Sequence, residues 1–206
     1  MYSTKPGLIL AFHGCDQSVV EKVLLGKAML KPSMNEYDWL GNGIYFWEND
    51  PKRALEYATQ IKNSPRTQSS SKISIPAVIG AVINLGFCLD LLEYGNLQLV
   101  KLAYSYLEKT YINSGRRLPE NIRPLGANDV LRRNLDCASI EALHKIRKDT
   151  GLKPFDSVRG VFWEGKEIFP TSGFREKDHI QISIRNPNCI KGFFLPRDLE
   201  TEYSKV

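Results

Sequence analysis

The sequence predicts an α+β fold with a central sheet, flanking helices and a helical insert, and three observations carry that expectation. Leu8–Phe12 is a short continuous apolar run and Ile75–Leu85 a rich apolar run with Gly80, both reading as buried strands. Segments between and after them place apolar residues at helical spacing. The last third changes character, with Val158–Trp163, His179–Ile184 and Cys189–Leu195 reading as short strands separated by turns.

The elements follow in order. Leu8–Phe12 ends at His13-Gly14, which reads as an exit turn. Asp16 or Ser18 can cap a helix through about Leu25, with Val19, Val20, Val23 and Leu24 on one face and Gly26 ending it. A loop through Pro32, Ser33 and Asn35 leads to Tyr37-Asp38-Trp39-Leu40-Gly41-Asn42-Gly43 and the aromatic strand Ile44–Trp47. Asp50-Pro51 opens a helix with proline at its first position. Residues 63–72, rich in Ser and Thr, read as a loop. Leu89–Ile112 has helical spacing with an expected break at Gly95-Asn96, residues 114–128 are loop-like, Asn128 or Asp129 can cap a further helix, and Cys137–Lys148 carries a final one.

A chain of 206 residues fits one domain spanning 1–206, with a helical, basic insert at about 88–150. At this length about 70% of the unfolded surface is buried, so no covalent staples are needed. The 42% hydrophobic and 25% charged fractions exclude collagen, coiled-coil arrays and disorder. No apolar run approaches the ~20 residues that span a bilayer, and the N-terminal segment lacks a signal-peptide pattern, so a cytoplasmic location without membrane attachment is expected. The four cysteines, Cys15, Cys88, Cys137 and Cys189, never approach CxxC spacing, so no metal site is expected and reduced, buried thiols are. The formal charge of +5 leans weakly toward a polyanionic partner.

Three features can carry chemistry. A histidine before glycine at a strand end, His13-Gly14, lets a ligand approach the backbone of Gly14. In Gly43-Ile44-Tyr45-Phe46-Trp47, alternation sends Tyr45 and Trp47 to one face, so Tyr45 can stack on a ligand ring if Phe46 enters the core. In His179-Ile180-Gln181-Ile182-Ser183-Ile184-Arg185, the isoleucines share a buried face and His179, Gln181, Ser183 and Arg185 share the other. Each feature also has an ordinary structural explanation: a core histidine, a turn into a strand, a half-exposed strand.

His13-Gly14, then Gly-Ile-Tyr-Phe with Tyr45, then a polar side chain on a late strand resembles the ADP-ribosyltransferase superfamily. The branch is the His-Tyr-Glu one of poly(ADP-ribose) polymerases and diphtheria toxin. The likeness is strongest at Gly41–Glu48 followed by Lys52-Arg53-Ala54, which resembles the polymerases' Gly-Lys-Gly-Ile-Tyr-Phe-Ala-Asp and the Ser-Lys-Ser-Ala stretch after it. Tyr-Asp-Trp-Leu-Gly and Arg-Gly-Val-Phe-Trp-Glu-Gly are similar to segments of small bacterial toxin-like members. The likeness covers residues 7–60 and 155–197.

The resemblance implies a split antiparallel sheet core and NAD as substrate. It places the nicotinamide amide on the backbone of Gly14, the ring against Tyr45, and a ribose hydroxyl on His13, with Gly43, Arg53 and His179 also in the binding site. His13, Tyr45 and Gln181 are then expected to converge on one pocket. Gln181 stands where the family has its glutamate and lacks that residue's charge. Glu164 is the first candidate to supply it, followed by Glu176 and Asp178. Arg53 replaces the serine that holds the nicotinamide amide in the polymerases.

The implied activity is mono-ADP-ribosylation of a macromolecule with release of nicotinamide. Arg116, Arg117, Arg123, Arg132 and Arg133 stand against only Glu120 and Asp129, which favours a nucleic-acid acceptor, RNA in particular. Arg66 and Lys72 add to that charge. A toxin-like enzyme inside its own cell implies a restraining antitoxin protein and a role in antiviral defence. The competing expectations are a catalytically impaired NAD- or ADP-ribose-binding module, a protein-targeting transferase, and an unrelated nucleic-acid-binding domain.

Overall fold

A computed structural model describes residues 7–63, 73–123 and 129–197. In chain order they form β1 (Ile9–Asp16), α1 (Gln17–Leu24), β2 (Ile44–Glu48), α2 (Pro51–Asn63), β3 (Pro76–Ile83), β4 (Cys88–Asp90), α3 (Tyr94–Asn113), β5 (Asn121–Ile122), β6 (Arg132–Arg133), α4 (Asn134–Asp149), β7 (Ser157–Phe162), β8 (His179–Ile184) and β9 (Ile190–Phe194). Seven strands make one sheet in the order β4-β7-β8-β2-β1-β3-β9, antiparallel except for β4 against β7. The fold is therefore α+β with a mostly antiparallel sheet, as the sequence predicts. β5 and β6 form a separate two-stranded ribbon.

The register assigns every side chain to a face. Phe12, Trp47, Gln181 and Gly160 lie across from one another, as do Tyr45, Ser183 and Val158 one pleat along. On the opposite face Ala11, Ile44, Phe46, Ile79, Ala81, Ile83, Ile182 and Ile184 form the main core, closed by Val20 and Val23 of α1 and by Leu30. The Trp47 face is covered in two places. At one end Ala54 of α2 packs on Phe12 and Trp47. At the other, Ile140 and Leu143 of α4 and Ala103 of α3 pack on Val158, Leu89 and Leu40. Tyr45 packs against the second of these clusters, Trp39 covers Gly160 and bonds Gln181, and His179 lies against Trp47 and Phe162.

Several local outcomes differ from the sequence-based expectations. β1 continues through His13-Gly14 instead of turning, pairing with β3 along its whole length. The glycine is required by helix packing: a Cβ on Gly14 would lie 2.0 Å from the Ala54 carbonyl oxygen of α2. α3 passes through Gly95-Asn96 unbroken, because both fall in its first turn, where backbone N–H groups have no intrahelical acceptor anyway. Asn96 strengthens that turn by donating to the Asp90 carbonyl at 3.0 Å. Leu89 belongs to a strand rather than to this helix. Asp129 caps no helix, its carboxylate accepting instead from the Gly165 N–H at 2.9 Å and pairing with Arg175 at 3.0 Å. The Asn128 expectation and most of the 63–72 loop, with Arg66 and Lys72, lie outside the described residues. All four cysteines are buried.

α4 buries His144 against Phe155 with rings 5.8 Å apart, and neither ring nitrogen has a partner among the described residues. Burial, reinforced by Arg185, pushes its pKa from 6.5 to about 4, against a smaller opposing pull from Glu141. A lowered histidine pKa means the unfolded chain takes up the proton first. Stability is then intact above about pH 6.5 and falls between there and pH 4, by about 3 kcal/mol for this one group. Urea unfolding at pH 7 and pH 4.5 is expected to show a smaller loss in His144→Leu than in the wild type. Equal losses in both would contradict the assignment.

Candidate functional site

The candidate site lies along the short pairing of β1 with β2. β1 and β2 pair only through Ala11–Glu48 and Phe12–Trp47 before parting. At the next position the His13 ring takes over the missing rung, its Nδ1–H donating to the Tyr45 carbonyl at 2.7 Å. A carbonyl only accepts, so Nδ1 carries the proton and Nε2 presents a lone pair. Burial lowers the His13 pKa, which keeps that neutral tautomer at pH 7.

The structure brings Tyr45 and Gln181 together on one face of the sheet, while the His13 side chain, two positions from the core residue Ala11, stands on the opposite face. Tyr45 and Gln181 stand on the same face of adjacent strands, opposite Ser183 and Trp47 respectively, within diagonal reach of each other. His13 abuts the Tyr45 backbone from the seam, and its ring lies 5.7 Å from that of Phe46, toward the other face.

Phe46 is fully buried, as a freed Tyr45 requires, yet the tyrosine is not loose. Its hydroxyl donates to the Gly41 carbonyl at 2.8 Å and accepts from the Leu40 N–H at 3.0 Å. Burial raises its pKa well above 10, so it stays protonated. These bonds tie Tyr45 to the preceding turn, which a second clamp holds from outside. Glu141 accepts from the Asn42 N–H at 2.8 Å while pairing with Arg185 at 2.5 Å. Gly43 admits no Cβ, which would lie 2.3 Å from Ser183 Oγ and 2.8 Å from the Ile184 carbonyl oxygen, so β8 is what approaches it closely.

β8 is central and covered on both faces, not half-exposed as alternation suggested: His179 and Ser183 are buried alongside Ile182 and Ile184. His179 donates from Nδ1 to the Lys177 carbonyl at 2.6 Å and stacks on Phe162 at 5.4 Å. Burial lowers its pKa. Gln181 accepts at Oε1 from the Trp39 indole N–H at 2.7 Å.

One end of the site is charged. Buried Arg53 on α2 pairs with Glu164 at 2.5 Å and with Glu56 at 3.5 Å, and Glu56 also pairs with Lys177. Glu164 itself follows β7 in a turn held by its own N–H donating to Asp178 at 3.2 Å. Asp178 is thus a structural anchor for the Glu164 turn. Glu176 supports the same hairpin through its backbone N–H to the Lys166 carbonyl.

The arginines separate. Arg133 lies over Phe162 at 4.6 Å and over Trp39 at 5.8 Å, at the site. Arg132 is its neighbour on β6. Arg116 stacks on Tyr111 and Arg117 pairs with Glu120. Arg123 is exposed beyond β5. Beside Glu164, the β7–β8 hairpin exposes Trp163, Phe169 and Phe174 by 57%, 57% and 67%. An open cavity of about 630 Å³ between Gly165 and Pro170 includes Arg175, and another of about 640 Å³ is lined by Glu141, Lys148 and Phe155.

Sequence reasoning passed over the side chains that close the site. Trp39 roofs Gly160, where a Cβ would lie 2.8 Å from its ring, and Tyr57 packs on Trp47 at 4.9 Å. The aromatic in Tyr37-Asp38-Trp39 was visible, but its partner lies 142 residues away. Among the described residues no group of three or more His, Cys, Asp or Glu is placed to hold a metal, and no helix is long and apolar enough to cross a membrane.

The chain is similar to an uncharacterized protein of Methanocaldococcus jannaschii, 27% identical over 199 aligned positions that cover 87% of this chain and 83% of that one. No family model matches the chain. No solved structure matches it either.

Proposed function

We propose that the protein is a toxin-like NAD-dependent mono-ADP-ribosyltransferase acting on a macromolecular acceptor. The observation that carries this reading is the seam between β1 and β2. There a neutral His13 with its Nε2 lone pair free adjoins Tyr45, whose face carries Gln181 on the paired strand. The order and spacing of these residues follow the His-Tyr-Glu pattern.

In the proposed reaction the ribosyl C1′–N bond of NAD breaks and its electron pair passes to the nicotinamide ring, which leaves neutral. The oxocarbenium-like ribose is captured by an acceptor hydroxyl or amine, which loses its proton. His13 Nε2 accepts from a ribose hydroxyl, and Tyr45 forms the wall against the nicotinamide ring. Glu164, fixed by Arg53, is the carboxylate closest to the role of charge stabiliser.

A nucleic-acid acceptor, RNA in particular, is supported by Arg133 and Arg132 beside the site together with the exposed rings of Trp163, Phe169 and Phe174. Cations with stacking surfaces suit single strands. Purified protein given NAD labelled in the adenylate is expected to release nicotinamide and label RNA. Label confined to protein after nuclease treatment would reject the RNA acceptor. A second reading, an NAD- or ADP-ribose-binding module without turnover, is favoured by the capped carbonyl of Gln181. Saturable NAD binding with no nicotinamide release would establish it.

A further inference from the structure

The hydrogen bond between Trp39 and Gln181 fixes which end of the amide the site can use. An indole N–H only donates, so the amide atom facing it at 2.7 Å is the carbonyl oxygen, and the amide orientation follows from chemistry. The NH₂ group then points away from Trp39 and bonds no described residue. Trp39 itself has little freedom. Its ring packs on Phe162 at 5.0 Å and covers Gly160, the residue across from Gln181 on β7, where any side chain would displace it.

We infer that Trp39 is a positioning residue that turns Gln181 so that its NH₂, not its carbonyl, meets the substrate. The inference rests on the transferase reading and sharpens it. A glutamate at this position accepts from a ribose hydroxyl and opposes the positive charge at C1′. Gln181 instead donates to a ribose oxygen, and its one carbonyl is engaged by Trp39. Acceptance of a hydroxyl falls to His13 Nε2, and negative charge to Glu164. The site is thus set for orientation at β8 and for electrostatics at the β7 turn, two tasks that a single glutamate would combine.

Gln181→Glu gives the position two equivalent oxygens, one to hold Trp39 and one for the substrate. It is expected to raise kcat for nicotinamide release about 10²-fold with little change in KM. Trp39→Phe keeps the ring and removes the N–H, and is expected to lower kcat about tenfold by unfastening the amide. In a Gln181→Met background the same Trp39→Phe change is expected to do nothing further, whereas a merely structural tryptophan would give additive effects.

The bond is read separately from activity in nitrogen–proton NMR spectra. The Trp39 indole proton is expected to shift upfield and exchange faster in Gln181→Met. An unchanged indole signal, or additive kinetic losses, overturns the inference. A shifted indole signal in a protein that, as wild type and as Gln181→Glu, releases no nicotinamide overturns the catalytic half together with the transferase reading, and leaves the amide orientation standing.

Discussion

Glu164→Gln is expected to lower nicotinamide release by about 10²–10³-fold, the loss typical of removing one preorganised electrostatic group from a transition state. The substitution keeps an oxygen for the Arg53 guanidinium, now 2.5 Å from the carboxylate, and deletes only the charge. Arg53 is buried and retains Glu56 at 3.5 Å, so the fold has a second anion to hold that cation. Rates are best compared per folded molecule, with thermal unfolding measured alongside. A variant within twofold of wild type would show that the charge opposing the ribosyl cation comes from elsewhere, and would remove Glu164 from the mechanism.

The largest effect on stability is expected at Arg159. Its guanidinium joins three strands, pairing with Glu48 of β2 at 2.6 Å and with Asp90 of β4 at 3.0 Å from its own place on β7. Asp90 is 1% exposed and Arg159 nearly as buried. The two carboxylates raise the arginine pKa, with the Glu48 bond foremost. Arg159→Met would leave both anions facing an apolar side chain, which for buried pairs costs about 3–5 kcal/mol, a large share of the ~5–15 kcal/mol that holds a domain together. Denaturant unfolding at pH 7 is the measurement. A loss below 1 kcal/mol would mean that water already reaches this cluster.

Strands and helices with a strong period were legible from the chain. β8 falls where the alternating isoleucines put it, and Asp50-Pro51 starts α2, with Asp50 accepting from the Arg53 N–H at 2.9 Å. What stayed hidden depended on neighbours distant in sequence. His13-Gly14 looked like a turn because local rules favour glycine there, whereas the glycine answers to α2 some 40 residues later. The polar face of β8 looked like a cleft wall because alternation cannot say what covers it. Tyr45 and Gln181 could be placed on faces from the sequence alone, but their hydrogen bonds to Gly41, Leu40 and Trp39 could not. Glu164 was legible as a carboxylate near a strand end. Its pairing with Arg53 was not, since the two are 111 residues apart.

A structure of the protein with bound, unreacted NAD decides whether the β1–β2 seam is a dinucleotide site. The nicotinamide ring is expected against Tyr45, a ribose hydroxyl within hydrogen-bonding distance of His13 Nε2, and the Gln181 NH₂ on a ribose oxygen. A dinucleotide seated away from the β1–β2 seam, or crystals grown in millimolar NAD that hold none, would contradict it.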